Sequence, residues 1–503
     1  MSTREIRKVV IAGGGTAGWV AAAALSHQFR DLLEIVLIES EEIGTIGVGE
    51  STIPPIRTFH RLLGIGEQDF MRATAATFKL GISFEGWRTG TDHYIHPFGI
   101  TGKSTWACDF HHFWLHSLAK GIQSELGDYC IELQAAKAKK FFTSPQSEIN
   151  YAYHLDAGIY AKFLRKFSEG FGAKRIEGKI KEVKQNAETG FIEALTLESG
   201  QTVEGDFFID CTGFRGLLIE QTLKTGYEDW NQWLLCDRAA AVQTESVGPA
   251  VPYTRVIAHQ AGWRWRIPLQ HRVGNGLVYS SRFESDEQAT DELMKSIEGR
   301  NIADPRVIRF RPGRRLRVWN KNVLALGLAS GFVEPLESTS IHVVMTGVIR
   351  LIQLFPFGGV TQSFADEYND QARTEMERIR DFIILHYKVN ERPEAFWAHC
   401  RDMEVPESLS RRIDMFKERA HAWQADGELF KLDSWTHVML GQGIKPAHYH
   451  QLTRALSDEQ LKGLLDGIRN PIANAVERMP THQDFIDRYC KAGVDVWGPQ
   501  RAS

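Results

Sequence analysis

Paired cysteines are missing from this chain. Its six cysteines, Cys108, Cys130, Cys211, Cys236, Cys400 and Cys490, show no C-x-x-C spacing and no local His/Cys cluster. That argues against a disulfide framework and against a structural zinc site. The stretch "DFHHFWLH" holds His111, His112 and His116 but lacks the glutamate of H-E-x-x-H, so packing or surface histidines are expected and no metal. No uninterrupted apolar run reaches membrane-spanning length, and strand-like "KVVIAGGG" begins within the first dozen residues, leaving no room for a signal peptide. Net charge is only −4 with no long basic run, so neither nucleic acid nor a membrane surface is an expected partner. At 503 residues, 43% hydrophobic and 24% charged, the composition is that of a globular protein with two or three domains or one split domain. A cytoplasmic, metal-free enzyme is the expectation.

What is present begins with "RKVVIAGGGTAGWVAAAAL", which reads as strand, tight turn and helix. Gly13, Gly15 and Gly18 complete G-x-G-x-x-G, with Thr16 and Ala17 opening the helix. The first glycine permits the turn, the second lets the backbone approach a pyrophosphate, and the third lets helix and strand pack closely. The phosphates then face the helix N-terminus, where free N–H groups favour anions. "LEIVLIES" supplies a second strand ending in Glu39, at the offset expected of a carboxylate that holds ribose hydroxyls. The pattern is a dinucleotide site, and it leaves FAD and NAD open.

Two later segments bear on that choice. "GDFFIDCTGFRGLL" is an apolar strand, Phe207 to Ile209, with a turn at Thr212 and Gly213. "NVLALGLASGFVEPLESTSIHVVMTGVIRLIQLF" is a strand, a glycine turn bearing Leu328, and a long apolar helix. The three pieces resemble the split FAD-binding domain of flavoprotein monooxygenases, which implies an α/β fold. On that reading residues 1–100 and 150–355 form the FAD-binding domain. Residues 101–149 and 356–503 form a mainly helical substrate lobe. No second glycine fingerprint with its own acidic strand end follows, so the flavin is expected to arrive reduced, as FADH2, from a separate NAD(P)H-dependent flavin reductase.

Three further blocks can be read by period. In "AGWRWRIPLQ" a strand puts Trp263 and Trp265 on one face and Arg264 and Arg266 on the other. Alone, such a pair reads as core. In "TFKLGISFEGW" Phe78, Leu80, Ile82 and Phe84 alternate with Lys79, Gly81, Ser83 and Glu85, leaving the lysine among small residues. A lysine is ordinarily a solvated surface group, but on a cleft-facing strand its ammonium can donate hydrogen bonds or its amine act as nucleophile. "VEPLESTSIHVVMTGVI" changes period at Ser338; Ile341, Met345, Val348 and Ile349 form a helical stripe. Thr339 and Ser340 fall at the helix start, where unpaired N–H groups can hold a small anion. Glu337 reads by itself as a capping or dipole-compensating acid, worth about 0.3–1 kcal/mol, and Glu334 has a weaker claim to a role.

"GWRWRIP" matches the W-x-W-x-I-P motif of flavin-dependent halogenases, the tryptophan-halogenase group, close to bacterial indole and tryptophan halogenases. "GVGEST" resembles that family's mobile strap over the flavin, "TFKLG" its lysine segment, and "FVEPLESTSIH" its halide and glutamate segment. With the glycine fingerprint, these blocks run in family order from residue 10 to about residue 350. The resemblance implies a halogenase that uses FADH2, O2 and bromide or chloride to make HOX. It places Val48, Gly49, Glu50, Ser51 and Leu328 at the flavin, and Thr339 and Ser340 at the halide. Trp263, Trp265, Ile267 and Pro268 become a barrier between flavin and organic substrate, and Lys79 and Glu337 the catalytic pair beyond it. Many members have glycine where this chain has Ser340, a departure that bears on local geometry and halide size.

"HPFG" resembles the segment whose histidine and aromatic residue sandwich the substrate, here His96 and Phe98. "TWACDFHHFWLH" and "DSWTHVMLGQG" add aromatics, including Trp114 and Trp435. The family's tyrosine and glutamate clamps for a free amino acid find no match around "SWTHVMLGQGIKPAHYH". A small aromatic, indole or a simple indole derivative, is therefore expected ahead of tryptophan, with a carrier-tethered pyrrole as a lesser option. Two rival readings stand: an aromatic hydroxylase on the same fold, and a flavin-binding protein without halogenating turnover. The oligomeric state, a homodimer among the options, is not written in the sequence.

Overall fold

The computed structural model describes residues 5–43, 49–144, 146 and 149–493. Its first strand, Lys8–Ala12, is buried at four of five positions, as a parallel strand covered on both faces must be. It lies inside a six-stranded sheet, flanked in parallel by Phe207–Asp210 and Glu34–Glu39. Lys174–Glu177 extends one side, Val323–Ala325 and the antiparallel Trp319–Asn320 the other. Helix Thr16–Phe29 covers one face and is buried along Ala21–Ala24, small side chains that let it pack closely against helices Ala157–Gly170 and Ser340–Gln353.

A second, seven-stranded sheet runs in the order Arg306–Arg309, Arg238–Thr244, Val273–Tyr279, Gly262–Pro268, Thr254–His259, Gly81–Glu85 and His93–Pro97. Its pairings are antiparallel except between Thr254–His259 and Gly81–Glu85. A three-stranded sheet of Gly49–Ser51, Ala152–Asp156 and Thr77–Lys79 sits beside it. The run "TFKLGISFE" is therefore two strands rather than one. Thr77–Lys79 belongs to the small sheet, and the chain crosses at Leu80, whose N–H bonds Pro252 O at 2.8 Å, into the large one. Lys79 stands at that crossing.

Helices gather on the far side of the large sheet. The second half of Gln362–Lys388 is buried from Ile379 to Tyr387 and shares a core with Ile82, Phe84, Trp87 and the two wall tryptophans. Helices Phe110–Ala119 and Ile131–Lys137 pack on Asp458–Arg478. Among the described residues no helix is long and apolar enough to cross a membrane.

Candidate active site

A cavity of about 2430 Å³ runs from the glycine turn past Gly49–Ser51 to the faces of Trp263 and Trp265. Gly13 has φ +108°, and a Cβ there would stand 2.3 Å from Cys211 O; at Gly18 it would stand 1.9 Å from Gly13 O. Both positions need glycine to let strand, turn and helix close together. Glu39 reaches back over the turn, accepting from Trp19 Nε1 at 3.2 Å and Arg175 Nε at 2.5 Å. At the next strand end Asp210 accepts from Leu218 N and Ile219 N at 2.8 Å and from Thr212 Oγ1 at 2.6 Å, fixing the second turn. Gly15, Thr16, Ala17, Glu50, Ser51 and Leu328 also line the cavity, and burial pushes the Glu50 carboxyl up to about 7. Val48 lies outside the described residues. A glycine cradle at a helix N-terminus, a strand-end carboxylate and an elongated cavity of this size fit FAD.

One end of the cavity is an indole wall. Trp263 and Trp265 lie on one face of Gly262–Pro268, centroids 6.0 Å apart and tilted by 55°. Trp263 Nε1 donates to Glu334 Oε2 at 2.8 Å, and Tyr387 Oη donates to the same oxygen at 2.5 Å. Burial pushes Glu334 up to about 7. Ile267 packs beside Gly49, and Pro268 O accepts from Thr77 Oγ1 at 2.7 Å, tying the wall to the lysine strand.

Lys79 is 0% exposed. Its Nζ donates to Ser338 Oγ at 2.9 Å and Thr52 O at 3.1 Å and sits 4.9 Å from the Phe98 ring centroid. Burial pulls this amine down to about 7, against the opposing influence of the Glu337 charge. Glu337 is also 0% exposed. His96 Nδ1 lies 3.1 and 3.0 Å from its two oxygens, and His386 Nε2 lies 2.9 Å from Oε1. Burial alone would raise this carboxyl; the two imidazoles outweigh it and hold Glu337 at about 2.

Ser338 joins the two places. It lines the cavity and also accepts the Lys79 hydrogen bond. It follows the turn Pro335–Glu337 with φ +61°, a left-handed conformation that turns the chain into helix Ser340–Gln353. Thr339 caps that helix, its Oγ1 buried without a hydrogen-bond partner, and Ser340 begins it; both line the cavity.

Around Glu337 the structure collects rings. Phe382 lies 5.7 Å from His96, stacks on Phe430 at 3.8 Å and meets Trp435 edge-on at 4.9 Å. His96, Phe98 and Trp435 are thus brought together with Lys79 and Glu337. Trp114 is not: it donates from Nε1 to Ser124 O at 3.1 Å and packs with Phe110, Phe113 and Leu461 in a separate helical core. Ser338, Thr52, Phe382 and His386 join the site without being expected there. Ser338 stands between Glu337 and the helix start and Thr52 closes "GVGEST", whereas Phe382 and His386 carry no local signal.

The tryptophan halogenase family model matches residues 8–458. The tryptophan 7-halogenase RebH of Lentzea aerocolonigenes is 31% identical over 96% of this chain and 98% of its own. Among solved structures, Xcc4156, a flavin-dependent halogenase from Xanthomonas campestris, superposes with a TM-score of 0.96 at 54% identity, covering 97% of this chain and 99% of that one. BrvH, a flavin-dependent halogenase from Brevundimonas sp. BAL3, gives 0.93 at 46% identity, covering 97% and 100%. The chain belongs to the tryptophan halogenase family and is a flavin-dependent halogenase, an oxidoreductase that works with FADH2.

Proposed function

We propose that the protein uses FADH2 from a separate flavin reductase, O2 and bromide or chloride to make HOX, and halogenates indole or a simple indole derivative at Lys79 and Glu337. Bound FADH2 with O2 supplies the oxidising equivalent that turns halide into HOX. The glycine cradle and Glu39 hold the dinucleotide, and the start of helix Ser340–Gln353 with the free Thr339 Oγ1 holds the halide. Trp263, Trp265 and Ile267 keep a bulky aromatic out of the cavity while a small oxidant passes at Ser338.

Lys79 then receives the oxidant, either by hydrogen bond to HOX or as a haloamine. The substrate ring, between His96 and Phe98, attacks the halogen: either the X–O bond of HOX breaks and the oxygen leaves as water with a proton from the Lys79 ammonium, or the X–N bond of the haloamine breaks and the electron pair returns to the Lys79 amine. The ring C–H pair restores aromaticity, and the proton passes to Glu337. The surroundings of this pair favour a small apolar aromatic. Phe382, Phe430 and Trp435 close the site, and the cation stacked on Trp435, Arg412 at 4.2 Å, is already paired with Glu428 at 2.7 Å.

The observation that carries this reading is the Lys79 amine, wholly buried and linked to the cavity through Ser338. The test is mass spectrometry after incubation with FAD, a flavin reductase, NADH, O2, bromide and indole. A bromine isotope doublet that disappears without bromide is expected; a hydroxylated product formed without halide would establish the hydroxylase alternative instead.

A further inference from the structure

His154 has no part in the scheme above, yet it stands in the middle of the sheet that carries Lys79. On the central strand Ala152–Asp156 it faces Ser51 on one side and Thr77 on the other, its register partners in the two pairings. A line of buried polar side chains runs through it. Ser51 Oγ lies 2.8 Å from Thr254 Oγ1, which lies 2.9 Å from His154 Nε2. His154 Nδ1 lies 3.0 Å from Thr77 Oγ1, whose hydroxyl donates to Pro268 O at 2.7 Å. Ser51 and Thr254 line the flavin cavity at one end of this line, and Pro268 ends the strand of the indole wall at the other. Lys79 lies two residues beyond Thr77, on the same face of their strand.

Counting hydrogens gives the line a direction. Burial first, and then the Lys79 and His482 charges, hold the His154 imidazole well below its ordinary value, so the ring is neutral with a single N–H. A carbonyl oxygen only accepts, so the hydroxyl hydrogen of Thr77 goes to Pro268 O. Thr77 Oγ1 then accepts from the ring, and the ring hydrogen is on Nδ1. Nε2 is left to accept from the Thr254 hydroxyl, and Thr254 in turn accepts from Ser51. Each contact holds one hydrogen, and both ring nitrogens are satisfied. The other tautomer would set the Nδ1 lone pair against Thr77 Oγ1, and two facing acceptors buried this deeply repel.

We propose that His154 is a positioning residue for Lys79: in its Nδ1–H tautomer it ties Thr77 to Thr254 and Ser51, and so fixes the lysine strand against the indole wall with Nζ at Ser338. The inference rests on the halogenase reading for the task of Lys79, and on hydrogen-bond geometry for the tautomer.

Two measurements separate these parts. In protein labelled with imidazole nitrogen-15, the His154 signals, identified by their loss in His154→Asn, are expected to show a protonated Nδ1 and a bare Nε2 at neutral pH. Asparagine here places an amide N–H near Nδ1 and keeps the donor to Thr77. Glutamine reaches the Nε2 position and keeps the acceptor for Thr254, and phenylalanine keeps neither. In single-turnover bromination of indole, His154→Phe and His154→Gln are expected to lower brominated product per flavin reoxidised by about fivefold or more, while His154→Asn retains most of it. Thr77→Val breaks the same link from the other side and is expected to lose at least as much as His154→Gln; combining the two should lose no more. An Nε2–H tautomer or a doubly protonated ring in the wild type overturns the inference, as does a yield unchanged in His154→Phe or equal in the asparagine and glutamine variants. Wild-type protein that brominates nothing overturns the halogenase reading instead, while the nitrogen signals still decide the tautomer.

Discussion

Trp265 lies over Gly276, its register partner on the next strand: a Cβ at Gly276 would stand 2.1 Å from the six-membered ring of the indole. The wall therefore depends on a missing side chain as much as on the rings it contains. Gly276→Ala is expected to cost about 1–3 kcal/mol through overpacking and to tip the indole toward the flavin cavity. Thermal unfolding with and without FAD reads both effects, as a lower Tm and a smaller stabilisation by the cofactor. An unchanged Tm would mean that the indole has room to move aside.

Ser338 holds a left-handed conformation that glycine adopts freely, so Ser338→Gly removes the hydroxyl while sparing the turn. Loss of its charge-assisted hydrogen bond to Lys79 is expected to lower halogenated product roughly tenfold or more. FAD affinity, measured separately by titration, should stay the same. Equal loss of both would assign Ser338 to the cavity alone.

Glu334 accepts two buried donors through one oxygen, from Trp263 and from Tyr387. Glu334→Gln retains an acceptor and is expected to change stability little. Glu334→Leu leaves both donors unpaired and is expected to cost about 1–3 kcal/mol for each group stranded, a difference urea unfolding resolves. Similar unfolding midpoints for the two variants would show that the wall does not rely on this carboxyl.

Burial holds His60 and His437 down at about 3 and His482 at about 4, each below the ordinary 6.5. The folded protein keeps these rings neutral, whereas the unfolded chain protonates them as pH falls below 6.5. Their contribution to stability is thus present above 6.5 and is lost progressively as pH drops toward their folded values. Urea midpoints should fall steadily between about pH 7 and pH 4. A flat midpoint over that window would contradict the burial of neutral imidazoles.

Local pattern carried much of this architecture. The strand, glycine turn and helix at residues 8–29 follow from period and from close contacts within a few residues, and the two-residue period of Gly262–Pro268 places both tryptophans on one side. The helix start at Ser340 follows from the change of period at Ser338. Other features depend on contacts that no local pattern encodes. Lys79 meets Ser338 across 259 positions, and His386 reaches Glu337 from a helix that reads as ordinary amphipathic packing. The crossing between sheets at Leu80 leaves the alternation of "TFKLGISFE" intact, so period alone reads one strand where there are two. Trp114 shows the opposite difficulty: its neighbours are rich in aromatics, but its indole N–H goes to Ser124 O and its ring joins a core, shared with the distant Leu461, that is separate from the site.

The separation of oxidant formation from carbon–halogen bond formation is tested most directly at the buried amine. Lys79→Met keeps the length of the side chain and removes its nitrogen. With FADH2, O2, bromide and indole in a single turnover, the account predicts brominated product reduced by about a hundredfold or more, while flavin reoxidises at the wild-type rate. Bromination that persists in Lys79→Met at wild-type yield would place the reaction in the flavin cavity and contradict the account.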